Sequence, residues 1–151
     1  MIDTMWTHAT PEQRERVLRR VLLDTAEHCW IWTGALDDAG YGRIRLPGQP
    51  LQATHRWSWQ AEHGPTTLPV TRHICDIRPC LNPSHLIAGT YADNNRDTAQ
   101  RGHHPRQHSL PDRWPQLAHT LRELARAGDL ATIRRLTARP EQLSLLEPHA
   151  R

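Results

Sequence analysis

Between residues 71 and 95 the chain reads TRHICDIRPCLNPSHLIAGTYADNN, and this run restricts the possible folds more than any other. It holds two of the three cysteines, Cys75 and Cys80, with His73 two residues before the first and His85 five residues after the second. Thiolates and imidazoles are the ligands that a tetrahedral zinc ion takes. Two ligand sets are compatible with the sequence. One is local, His73, Cys75, Cys80 and His85, because residues 73 and 75 of a strand share a face. The other takes Cys29, Cys75, Cys80 and His85; it gives the distant Cys29 a partner and leaves the His73 imidazole beside a helix that carries Asn94. Three cysteines cannot all pair internally, and in a reducing compartment clustered Cys and His favour metal over disulfide.

A metal also answers a need set by composition. A chain of 151 residues has room for one modest core. Its aromatic residues are six Trp and two Tyr with no Phe, and its twelve Pro and eleven His make it polar for its size, so a structural metal would supply part of its stability. All nineteen basic side chains are Arg. Residues 29–100 balance six Arg against six acids, whereas residues 101–151 carry nine against five, so the net charge of +3 resides in the tail. Charge of that size is weak support for a nucleic-acid partner. No run approaches the eighteen apolar residues of a membrane span, and the first sixteen residues lack the apolar core of a signal peptide, so the expected location is the cytoplasm.

Thr10 and Pro11 open a helix whose apolar positions Val17, Leu18, Val21 and Leu22 predict an extent to about Asp24. CWIWTG and YGRIRL alternate on either side of the turn-like ALDDAG and predict a β-hairpin. ATHRWSWQAEHGP reads as a short helix, LPVTRHIC and HLIAG as strands, and TYADNNRDTAQRG as a helix with Thr90 and Asp93 in a capping-box variant. Leu117, Leu121 and Leu124, then Leu130, Ile133 and Leu136, mark two helices broken at Gly128 and Asp129. The expected division is an N-terminal helix (1–27), a core (28–102), a linker (103–113) and a helical tail (114–151). Trp30, Trp32, Trp57 and Trp59 are expected to face the core, Asn82 and Pro83 to shape the metal loop, and His55 either to pack or to assist the site.

The run RHICDIRPCLNPSHLIAGTYADNNRD resembles the signature of phage-type HNH endonucleases, and the order His73, Cys75, Cys80, His85, Asn94 is similar to that of the His-Cys box homing endonucleases. CWIWTGALDDAGYG and HRWSW extend the resemblance over about residues 28–102. It implies an α+β fold, a zinc-stabilised ββα-metal (HNH, or His-Me finger) core with flanking helices, and a phage- or prophage-encoded DNA endonuclease acting in the host cytoplasm. By the same resemblance His73 is the general base and Asn94 the protein ligand to one catalytic Mg²⁺ or Mn²⁺. Cys29, Cys75, Cys80 and His85 then hold a structural Zn²⁺. The division suits the ions, since Mg²⁺ prefers hard oxygen and zinc accepts thiolates. Arg43, Arg45, Arg56 and Arg72 are candidate DNA contacts, guanidinium being well matched to phosphate oxygens. DNA is the expected partner; a homodimer or a phage packaging partner is also compatible.

One departure stands out. HNH proteins often carry an acidic metal ligand immediately before the base, where this chain has Arg72. The free protein is therefore expected to bind Mg²⁺ weakly. The alternative reading keeps the zinc-stabilised fold as a DNA-binding or packaging-associated protein without cleavage.

Overall fold

The computed structural model describes residues 4–100 and 114–138. The short strands Ile31–Trp32 (β2) and Val21–Leu22 (β1) pair antiparallel, with Val21 opposite Trp32 and Leu22 opposite Ile31. That pairing ends the first helix early. The helix α1 spans Pro11–Leu18, opened by a full capping box between Thr10 and Gln13, and Val21 and Leu22 leave it for the sheet instead of continuing to Asp24. The expected hairpin between CWIWTG and YGRIRL also differs. Arg43–Ile44 (β3) pairs with Gln52–Ala53 (β4), and the ALDDAG turn before β3 is closed by a single bridge between Leu36 and Gly42. Alternating polarity fixes which face a strand buries and leaves its partner open.

Alternation of side chains along residues 29–32 then builds two cores from one segment. Trp30 and Trp32 enter a cluster with Trp6, Val17, Ile44, Leu46, Trp57, Ala61 and Leu81. Cys29 and Ile31 point the other way, into a cluster with Ile77, Cys80, Leu121, Ala125 and Ile133. The N-terminal segment belongs to the first core. Trp6 is fully buried, lies edge-on to Trp57 at 5.0 Å and donates from Nε1 to Ser58 Oγ at 2.8 Å. Trp57 is buried as expected, whereas Trp59 is only half-buried and packs on His63.

The helix Thr54–His63 (α2) follows β4 directly and stops at Gly64, whose φ of 91° suits glycine. The strands Val70–His73 (β5) and Leu86–Gly89 (β6) form an antiparallel pair with His73 opposite Leu86, and the helix Tyr91–Gln100 (α3) returns against β5. Thr90 and Asp93 cap it reciprocally: Asp93 Oδ2 accepts from Thr90 N at 2.8 Å, and Asp93 N donates to Thr90 Oγ1 at 3.2 Å. This β5–β6–α3 unit is the ββα element of a mixed α+β domain.

The helices Trp114–Arg126 (α4) and Leu130–Thr137 (α5) break at Gly128 (φ 73°) and restart at Asp129, which caps α5 through Thr132 N. Leu121, Ala125 and Ile133 close over the second core. Arg134 of α5 grips Asp24 with two bonds, Nε to Oδ2 at 2.7 Å and Nη2 to Oδ1 at 2.5 Å, and Arg126 Nε donates to the Thr33 carbonyl at 3.0 Å. The expected linker, 103–113, and the end of the tail, 139–151, lie outside the described residues. No described helix is long and apolar enough to cross a membrane.

Candidate metal centre and histidine pair

Four ligand atoms gather where β2 meets the loop between β5 and β6. The Sγ atoms of Cys29, Cys75 and Cys80 and a ring nitrogen of His85 all lie within 4.8 Å of one another, and His85 Nδ1 is 3.7 Å from both Cys29 Sγ and Cys80 Sγ. A tetrahedral zinc with bonds of roughly 2.0–2.3 Å separates its ligand atoms by about 3.5–3.8 Å. The donor set and its spacing therefore fit zinc.

The sequence explains how Cys29 arrives from so far away. Ile31 bridges Cys80, Leu81 N donates to the Trp30 carbonyl at 3.0 Å, and Trp32 N donates to the Pro79 carbonyl at 3.0 Å. Asn82, fully buried, completes the tie: its Nδ2 donates to the carbonyls of Ala26 and His28 at 2.9 and 2.8 Å, and its Oδ1 accepts from Ser84 N at 2.9 Å. The last of these bonds caps the 3₁₀ turn Pro83–His85 that presents His85. The hydrogen bond with Cys75, aided by burial and opposed by Cys80, pushes the Cys29 thiol far up, and burial does the same to Cys80. Hydrogen bonds from Cys29 and Cys80 hold the half-buried Cys75 well below the usual thiol range, so one thiolate forms readily while the two buried thiols resist; a divalent cation would remove that resistance.

His73 stands outside this set. It is buried on the face of β5 that Thr71 shares, and its Nε2 lies 2.9 Å from the Cys80 carbonyl. A carbonyl only accepts, so the proton of this bond is on Nε2, and in the neutral ring Nδ1 is the accepting nitrogen. Cys80 thus serves two neighbours, with its thiol in the metal cluster and its carbonyl on His73.

Two rings whose combination carries no signature in the sequence surround His73. His55, in the first turn of α2, lies 4.6 Å away between ring centroids, and Tyr41 lies 6.0 Å from His73 and 5.3 Å from His55. Gly42 makes this approach possible, since a Cβ there would come within 2.3 Å of Thr54 Oγ1. Burial, aided by His73 and the charges of Arg56 and Arg43, holds the His55 pKa well below the usual imidazole value, so His55 is neutral. Arg78, from the loop between Cys75 and Cys80, lies over Tyr41 at 5.2 Å and donates to the Ala39 carbonyl at 2.6 Å.

The opposite face of β5 carries Arg72. Its Nη1 donates to Asp97 Oδ2 on α3 at 2.6 Å, with both side chains mostly buried. Gly89 leaves the space, for a Cβ there would sit 2.8 Å from Arg72 Nε. Asn94 is exposed on α3, between Asp93, committed to capping Thr90, and Asp97, committed to Arg72. Among the other sequence candidates, Arg56 Nη1 donates to the Pro69 carbonyl at 2.6 Å, Arg43 lies beside the histidine pair, and Arg45 is exposed farther along the same chain segment.

Residues 52–96, which include α2, the histidine pair, both strands of the ββα unit and the first six residues of α3, match the HNH endonuclease family. The chain is 34% identical over 102 residues to Protein 2.8 of Escherichia phage T7, covering 67% of this chain and 70% of that protein. It is 40% identical over 77 residues to Protein 7.7 of the same phage, covering 50% of this chain and 58% of that protein. No solved structure matches. A ββα unit whose inter-strand loop joins a Cys₃His cluster, a match over most of that unit and a phage relative aligned over two thirds of both chains together place this protein in the HNH endonuclease family.

Proposed function

We propose that the protein is a DNA endonuclease that hydrolyses phosphodiester bonds, with His73 as general base and Asn94 as the protein's ligand to one Mg²⁺ or Mn²⁺. The observation that carries this reading is the bond from His73 Nε2 to the Cys80 carbonyl, which turns Nδ1 into a fixed proton acceptor. A base must hold its lone pair toward the attacking water, and a backbone carbonyl on the far nitrogen sets both tautomer and ring direction. His73 takes a proton from water as the water oxygen bonds to phosphorus and the opposite P–O bond breaks. His55 and Tyr41 hold the imidazole plane while this happens. Cys29, Cys75, Cys80 and His85 hold zinc in a structural role, since all four positions of a tetrahedral site are filled by protein.

Asn94 offers one neutral, hard oxygen on an exposed helix face, which fits a cation that takes its remaining ligands from phosphate and water. When bound, the cation polarises the phosphate and stabilises the leaving oxygen. The test is supercoiled plasmid incubated with Mg²⁺, Mn²⁺ or EDTA, for the wild type and for His73→Ala. Nicked or linear product that needs both the cation and His73 supports the reading; no product under any condition refutes it.

One observation favours the second reading, a zinc-stabilised DNA-binding or packaging-associated protein without cleavage. Arg72 fills the strand position that faces α3 and engages Asp97, so no carboxylate of β5 or α3 is left to join Asn94 around a cation. DNA binding by the wild type with no cleavage would select it.

A further inference from the structure

Along residues 41–46 half-buried or exposed side chains alternate with buried ones: Tyr41, Arg43 and Arg45 on one face, Gly42, Ile44 and Leu46 on the other. Tyr41 stacks on the histidine pair, and Arg43 pairs across to Ala53, two residues before His55. At about 3.3 Å per residue, Arg45 is roughly 13 Å along from Tyr41. There the strand meets α1. Arg45 and Arg16 line an open groove of about 580 Å³ with Leu46, Pro47, Gly48 and Gln49.

Arg19, Arg72, Arg96, Arg122, Arg126 and Arg134 each have a carboxylate partner. Among the described residues, Arg14, Arg16, Arg20, Arg43, Arg45 and Arg135 have none within ion-pair distance; of these, Arg43 and Arg45 share one face of the chain and Arg16 lies with Arg45 at the same groove. Guanidinium groups kept out of ion pairs and set in a row suit the regular charges of a nucleic-acid strand.

We propose that Arg43, Arg45 and Arg16 form a track for the phosphates of one DNA strand, leading away from the His55–His73 pair across the groove between α1 and the chain after β3. The proposal rests on the reading of the protein as one that acts on DNA, and deepens it by naming the surface. It adds Arg16, which the sequence did not suggest, and separates Arg43 and Arg45 from Arg72 and Arg56, whose guanidinium groups are committed to Asp97 and the Pro69 carbonyl.

The test measures affinity for a short DNA duplex against salt, without added divalent cation, for the wild type, the double variant Arg16→Ala with Arg45→Ala, and the control Arg19→Ala. Each lost phosphate contact lowers the slope of log affinity on log salt by about 0.9, so the fall in affinity between roughly 50 and 200 mM salt should be about tenfold smaller in the double variant. Arg19 caps the C-terminal end of the same helix but is paired with Glu15, and its variant should keep the wild-type slope. A double variant with the wild-type slope, an equal loss in Arg19→Ala, or a wild type that does not bind duplex would overturn the track. Cleavage plays no part in this readout, so a wild type that binds through the track but does not cut refutes the endonuclease reading alone.

Discussion

Replacing Arg134 by alanine should show that the C-terminal helices are part of the folded domain. Asp24 has a side chain only 3% exposed, and it receives both bonds of the Arg134 fork from a residue 110 positions away. Breaking a fully buried pair by removing one partner costs about 3–5 kcal/mol. Arg134 is itself 42% exposed, so water screens the pair, and about 1–2 kcal/mol is the appropriate range. For a chain of this size that corresponds to a fall in Tm of about 2–8 °C. The pH dependence has a definite sign. The hydrogen bond from Arg134 holds the Asp24 carboxyl below its ordinary range, so its contribution is present at neutral pH and is lost as pH falls through the lowered folded-state value. The gap between wild type and Arg134→Ala should therefore be widest near neutrality and close with acid. Thermal melts of both proteins across pH, with Arg135→Ala as an exposed control, measure this. A variant melting within about 1 °C of wild type at pH 7, or a gap as wide in acid as at neutrality, would refute the reasoning.

Three further outcomes follow from the site. Cys29→Ala should lower bound zinc below one per chain and destabilise the fold, because structural zinc contributes its binding energy to folding; metal analysis and melting check this together. His73→Ala should reduce plasmid cleavage by about 10²–10⁴ while zinc content and DNA affinity stay at wild-type values, and loss of zinc would return His73 to the ligand set. Asn94→Ala should raise the Mg²⁺ concentration needed for half-maximal cleavage without changing zinc content, measured as single-turnover rate against Mg²⁺.

Legibility in the sequence followed the range of the interactions. The β5–β6–α3 unit could be read because its strands, its turn and the Thr90–Asp93 cap lie within thirty residues and are held by local bonds. The end of α1 could not, since Val21 and Leu22 fit a helical face and a strand equally well and only pairing with Trp32 and Ile31 decides between them. Periodicity likewise gave β2 and β3 the right character and the wrong partners. At the site, the residue types limited the metal ligands to two sets, and the bridge from Ile31 to Cys80 brings Cys29 rather than His73 among the thiols. The ring cluster of Tyr41, His55 and His73 had no signature, because it joins a turn, a helix start and a strand end that meet only in the folded chain.

On the proposed reading, the double duty of Cys80 should give chelators two separable effects on this protein. A cation held by a single amide oxygen and the substrate exchanges with solvent, so a brief EDTA quench should be undone at once by excess Mg²⁺. Zinc enclosed by three thiolates and an imidazole would leave slowly, and its loss should free the loop that carries the Cys80 carbonyl and with it the bond that orients His73. Prolonged chelation should therefore produce an inhibition that Mg²⁺ does not reverse and that zinc does. The time course of inactivation thus distinguishes the two metals without any mutation.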